Sequence, residues 1–138
     1  MIEIPIFEPS LSFLEQKLVQ EALETGWISS QGRFVEDFEN SLASFHGVKY
    51  CVSTMNCTAA LHLGMMAAGL ELGDEVICPD LTFIAPANMA YLTTRNLKLL
   101  DVQPDTLNID PDLIASHISD KTKAIICVNQ FGHSCDFD

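Results

Sequence analysis

The chain has 138 residues, 48% hydrophobic and 19% charged, with 7 basic side chains against 19 acidic ones and a net charge of −12. That is long enough for one domain with a core and too short for two ordinary ones, and it excludes a disordered or fibrous chain. The acidic balance, with no Lys/Arg cluster, excludes a nucleic-acid partner, so an anionic ligand has to be held by local backbone dipoles rather than by the overall field.

No basic region followed by an apolar run opens the chain, and no apolar stretch approaches bilayer length. A cytoplasmic protein with no membrane partner is the expectation. Five cysteines (Cys51, Cys57, Cys78, Cys127, Cys135) form no C-x-x-C pair. Three fall in predicted strands, where reduced thiols act as small apolar side chains. Cys127, His133 and Cys135 lack a fourth ligand and a recognised spacing, so no metal site is expected.

Residues 4–9 read as extended. Ser12 and Glu15 then form a capping box opening a helix in which Leu11, Leu14, Leu18, Ala22 and Leu23 recur at helical spacing, ended by Gly26. A loop of Trp27, Ile28, Ser29, Ser30, Gln31 and Gly32 follows. A tryptophan beside two hydroxyls there reads as a ligand contact, a subunit contact or a packing anchor. Phe34, Phe38, Leu42 and Phe45 mark a second amphipathic helix whose stripe is expected in a core, with His46 and Gly47 closing it.

The chain is organised around residues 50–66, read as a strand over 50–54, a polar turn over 55–58 and a helix from Ala59. A helix N-terminus exposes unpaired N–H groups and the positive end of the helix dipole, so the turn is an anion site to which Asn56 and Thr58 add side chains. The plainer alternative is that one of them only caps the helix. That helix is apolar nearly all round and is expected between layers. Strands follow over 75–79, 97–102 and 123–128, separated by helices over 84–91 and from the Asp110–Pro111 cap to Ile118.

Four uniformly apolar strands alternating with helices predict a parallel sheet covered on both faces. Ligands bind such sheets at the strand carboxyl ends. Here those ends carry the loops 53–58, 80–83, 101–106 and 129–136, expected to form one site. A chain stopping in a loop at Asp138 suggests an unfinished sheet. An ordinary dinucleotide-binding domain is disfavoured, since no G-x-G-x-x-G follows the first strand.

Several blocks in this order carry a resemblance. They are the 26–39 segment from Gly26-Trp27-Ile28-Ser29-Ser30 to Phe38-Glu39, then Asn56-Cys57-Thr58-Ala59-Ala60-Leu61-His62-Leu63, Gly73-Asp74-Glu75-Val76-Ile77, Leu81-Thr82-Phe83, and Phe131-Gly132-His133-x-Cys135-Asp136. Together they resemble the N-terminal part of the DegT/DnrJ/EryC1/StrS family, pyridoxal-phosphate-dependent aminotransferases acting on nucleotide-linked keto-sugars, nearest to its perosamine-synthase-like branch. The resemblance implies a three-layer α/β/α fold with a mostly parallel sheet, an incomplete large domain of fold type I. It divides into N-terminal helices and loop over 1–48 and the sheet with its cofactor-phosphate turn over 49–138.

The same resemblance implies that Asn56, Cys57 and Thr58 hold the phosphate of pyridoxal 5′-phosphate and that Phe83 stacks on its ring; a core aromatic is the alternative for Phe83. Trp27, Ser29 and Ser30 are weaker substrate candidates. It implies a nucleotide-sugar substrate, an amino donor such as glutamate, a homodimer, and a role in polysaccharide or cell-surface glycan synthesis. Cys57 departs from the family's glycine, and its β-carbon threatens to crowd the phosphate or to oppose a positive φ. The family's Schiff-base lysine lies later than anything present, and Lys17, Lys49, Lys98, Lys121 and Lys123 match no such motif, so stand-alone transamination is not expected. The other reading is a non-catalytic remnant that binds a partner chain or a phosphorylated ligand.

Overall fold

A computed structural model of the chain describes Pro5 and residues 8–137. Half of the extended stretch expected over 4–9 thus lies outside the described residues. The chain forms two compact units, Met1–Ser53 and Thr54–Asp138.

The N-terminal unit holds two helices. In α1 (Phe13–Thr25) the Ser12 hydroxyl accepts from Leu14 N, the Glu15 carboxylate closes the capping box, and Gly26 ends the helix at φ 74°. This is the expected local chemistry. Helix α2 (Arg33–His46) ends at Gly47 in the same left-handed conformation. The helices are tied by an ion pair between Arg33 and Glu21. Two expectations fail here. The α2 stripe is not in a core: Phe38 and Phe45 are exposed, Phe34 and Leu42 are half-buried, and only Ala43 of the helix is buried among the described residues. Residues 50–54 join no ladder among the described residues, and Tyr50 and Val52 are exposed. An extended segment becomes a strand only when a neighbour supplies hydrogen bonds. What anchors the segment is the Glu39 carboxylate, which accepts from Ser53 N at 2.7 Å and its hydroxyl at 2.8 Å.

The second unit is the α/β body. Its elements are α3 (Cys57–Ala67), β1 (Glu75–Pro79), α4 (Ile84–Thr94), β2 (Leu97–Leu100), α5 (Pro111–His117) and β3 (Thr122–Ile125). The sheet is parallel in the order β2-β1-β3, with Val76 opposite Leu97 and Ala124. Alternation along β1 divides the core. Val76 faces Met65 of α3 and Ala90 of α4, whereas Ile77 faces Leu100, Ile109 and the α5 residues Leu113 and Ile114. Helices therefore cover both faces, which gives the predicted three layers.

Among the described residues, three strands stand where four were expected. Helix α3 is buried along one edge only, at Met65, while Leu63 and Met66 are exposed. Of the cysteines placed in strands, Cys78 is fully buried, Cys51 is half-buried and Cys127 is exposed. Burial pushes the Cys78 thiol up to about 11, so it behaves as a small apolar side chain. All five thiols are free.

Candidate functional site

The order β2-β1-β3 contains a reversal. The chain leaves β1 toward β2 through α4 and returns past β1 to β3 through α5, so a crevice opens at the carboxyl ends of β1 and β3, the usual ligand position in such sheets. A cleft of about 460 Å³ lies there, within the common range for small-molecule sites. Three segments wall it: the start of α3 with Cys57 and Thr58, the β1–α4 loop with Thr82 and Phe83, and the segment after β3 ending at Asn129.

Each wall has a local cause. Asn56, in extended conformation, caps α3 by accepting from Ala59 N at 2.9 Å. The N–H groups of Cys57 and Thr58 are left without acceptors among the described residues, as the first turn of a helix dictates. Asn56 is thus the cap, and the N–H groups of Cys57 and Thr58 stay free beside it. Cys57 is the first residue of α3, and its φ is not in the left-handed region, so its β-carbon brings no backbone strain. Phe83 is the N-cap of α4, without a capping side chain, and is 77% exposed. It is a cleft aromatic rather than a core one.

The Asn129 wall is braced from below. Asn129 Oδ1 accepts from Cys135 N at 2.9 Å, and Cys135 directs its thiol to the carbonyl of Val128 at 3.3 Å. Asn108, buried at 3% exposure, holds the same loop through Gln130, His133 and Ser134. Asn108 gave no sequence signal.

The loop 101–106 does not join the cleft. An antiparallel bridge between Val102 and Ile109, with Gln103 N donating to Asn108 O at 2.9 Å, folds it back on itself. It also follows β2, which lies on the far side of β1 from β3. Trp27, Ser29 and Ser30 belong to the N-terminal unit. Trp27 and Ser29 line a smaller cleft of about 300 Å³ with Gly32, at φ 124°, where a β-carbon would sit 3.0 Å from Trp27 Cε3. Among the described residues, no group of three or more His, Cys, Asp or Glu side chains is placed to hold a metal, and no helix is long and apolar enough to cross a membrane.

A doubly wound parallel sheet, with a helix N-terminus and an exposed aromatic meeting at its reversal point, defines an α/β domain with a ligand-sized crevice at its strand carboxyl ends. The chain belongs to the DegT/DnrJ/EryC1/StrS aminotransferase family, whose sequence profile matches residues 9–138. It is 41% identical over 135 residues to the GDP-perosamine synthase of Escherichia coli O157:H7, covering 98% of this chain and 37% of that protein. It is 40% identical to the spore coat polysaccharide biosynthesis protein SpsC of Bacillus subtilis, again over 98% of this chain and 34% of the relative. Among solved structures, the PLP form of Spr1654 from Streptococcus pneumoniae superimposes with a TM-score of 0.87 at 32% identity, covering 98% of this chain and 34% of that one. The chain thus spans about a third of the length of these relatives. The fold is that of the pyridoxal-phosphate-dependent aminotransferases.

Proposed function

We propose that this chain forms the cofactor-phosphate part of a pyridoxal-phosphate-dependent aminotransferase that moves an amino group from an amino acid, glutamate by resemblance, to a nucleotide-linked keto-sugar for glycan synthesis. The carrying observation is the cleft itself, where two free helix N–H donors and an exposed aromatic face meet. Family membership and the similarity to a GDP-perosamine synthase support the substrate class.

The residues present fit such a cofactor. The N–H groups of Cys57 and Thr58 and the Thr58 hydroxyl supply donors at a helix N-terminus, where a phosphate is favoured, with Asn56 fixing the turn. Phe83 offers a flat apolar face to the ring. A buried hydroxyl, Thr82 Oγ1, stands without a partner at the same cleft. Bound there, pyridoxal phosphate supplies the amino-carrying carbonyl and an electron sink. This chain's residues would bind and orient it and keep water from one face of its ring.

Trp27, Ser29 and Ser30 are the proposed sugar-side contacts. The part over 1–48 would serve the substrate and the homodimer partner, and the part over 49–138 the cofactor, in the cytoplasm. No lysine here is assigned to the chemistry; Lys98 of β2 is paired with Glu75 at 2.9 Å. The experiment is an absorbance titration of the purified chain with pyridoxal phosphate, then borohydride reduction and mass mapping. Saturable binding with no dominant lysine adduct is expected. A single stoichiometric adduct on one of the five lysines would overturn the placement of the chemistry outside this chain.

A further inference from the structure

We infer that the hydroxyl of Thr82 is a ligand-binding group of the cleft, held unpartnered in the ligand-free fold and turned to an oxygen of a bound phosphate-bearing pyridine. This rests on the cofactor reading above and adds a residue to it.

Thr82 Oγ1 is a buried side-chain oxygen with no hydrogen-bond partner among the described residues. The contrast with other threonines of the same unit is direct. Thr93 donates to the Met89 carbonyl at 2.8 Å, Thr94 to the Ala90 carbonyl at 3.1 Å, and Thr54 to the Asn56 carbonyl at 2.9 Å. Each of these hydroxyls is spent on the backbone of its own helix or turn. Thr82 precedes the N-cap Phe83 of α4, outside the helix, so no carbonyl one turn back is available to it. A buried hydroxyl without a partner costs the fold stability that a valine of the same shape would not.

The fold therefore carries a polar group that it does not use, and it carries it at the cleft. Thr82 lines that cleft together with Thr58 and Phe83 while its Oγ1 is covered, so the surface it shows the cleft is carbon. One staggered step about χ1 exchanges the places of hydroxyl and methyl. In the turned rotamer the hydroxyl would meet the cleft, where a bound ligand oxygen can take the place of water as its partner. Phe83, the next residue, presents the ring face, so Thr82 would set the ring's position along that face as its hydrogen bond forms.

The test uses the intact chain, pyridoxamine 5′-phosphate as probe, and two variants read by thermal midpoint and by fluorescence titration. Thr82→Val is expected to raise the midpoint, since it removes an unpaired buried hydroxyl, and to weaken binding roughly five- to tenfold, the size of one lost hydrogen bond. Thr82→Ser is expected to keep the wild-type affinity. This opposition of sign separates the role from a structural one, because a hydroxyl serving the fold would lower the midpoint in Thr82→Val. Such a lowering overturns the inference, as does unchanged affinity in Thr82→Val beside normal binding by the wild type. Absence of binding by the wild type removes the cofactor reading and this inference together.

Discussion

The side-chain amide of Asn108 donates to the backbone carbonyl of Ser134 at 2.9 Å, across 26 residues of chain. The same amide donates to His133 O at 3.1 Å, and its oxygen accepts from Gln130 N at 3.0 Å. One buried carboxamide thus replaces the ladder that a loop lacks, and the loop it holds carries Asn129 to the cleft wall. The loop needs such a brace because Phe131 sits at φ 49°, a conformation that a bulky side chain adopts only when its surroundings hold it.

Asn108→Ala should therefore cost more than a typical polar truncation. Three backbone groups lose the partner that buried Asn108 gives them, and the expected loss is roughly 2 to 3 kcal/mol by urea denaturation. Hydrogen exchange should accelerate at the amides of Gln130 and Cys135 first. A stability within 0.5 kcal/mol of wild type, about the scatter of a surface substitution, would mean that the loop is held by something else.

A second buried polar group gives a pH dependence. Glu75 opens β1 at 8% exposure, accepts from the Thr122 hydroxyl and from Ser119 at 3.1 Å, and pairs with Lys98. The Thr122 hydroxyl first, and Lys98 next, hold its carboxyl below the ordinary glutamate range. A carboxyl whose pKa is lower folded than unfolded contributes stability that is fully present above the unfolded value, about 4.3, and lost as pH falls through the folded one. Stability should accordingly be flat from neutrality to about pH 5 and fall below it. Glu75→Gln should lower stability at pH 7 by roughly 1 to 2 kcal/mol and make the acid fall shallower. Glu39, also held low by the Ser53 N–H and hydroxyl, would keep part of that fall. Equal acid profiles for variant and wild type would refute the assignment to Glu75.

The contrast between these groups and the readable ones explains what the sequence discloses. The Ser12–Glu15 box, the Gly26 stop, the Asn56 cap and the Asp110–Pro111 start are satisfied within one turn of helix, so residue type and spacing suffice to place them. The parallel sheet was legible because Val76, Ile77 and Cys78 make an uninterrupted apolar run in β1. A strand over 50–54 was not decidable that way, since its ladder depends on a neighbour remote in sequence. The α2 stripe failed for the same reason: amphipathicity tells which face is apolar, not whether a layer lies on it. Glu75 and Asn108 are set by partners that lie far along the chain, and the Thr82 hydroxyl has none among the described residues. In the cleft lining, Cys57, Thr58 and Phe83 stand in recognisable sequence blocks, whereas Asn129 is signalled only by a loop boundary.

The phosphate turn separates into testable parts. Thr58→Ala should weaken pyridoxal phosphate binding by roughly 1 to 2 kcal/mol, the scale of one hydrogen bond to a charged group, while the thermal midpoint changes little because Asn56 is the cap. Cys57→Gly should bind as well or better, with helix stability lowered by some tenths of a kcal/mol toward the ordinary glycine penalty. A midpoint that drops while affinity holds would make Thr58 a structural residue. A large loss of affinity in Cys57→Gly would give the thiol a part in binding.

Phe83 distinguishes a cleft aromatic from a core one by the ratio of two measurements. A buried phenylalanine truncated to alanine costs about 3 to 5 kcal/mol of stability. At 77% exposure Phe83 has little apolar area to lose, and Phe83→Ala should cost less than about 1 kcal/mol in urea denaturation. The same change removes the flat face beside Thr82, and stacking beyond simple area burial is worth about 0.5 to 1.5 kcal/mol. Binding of pyridoxamine phosphate should thus fall several-fold while the fold stands, and Phe83→Tyr should bind nearly as well as wild type because it keeps the ring. A stability loss of the core-residue size with unchanged binding would return Phe83 to a packing role and leave the cofactor ring without its platform.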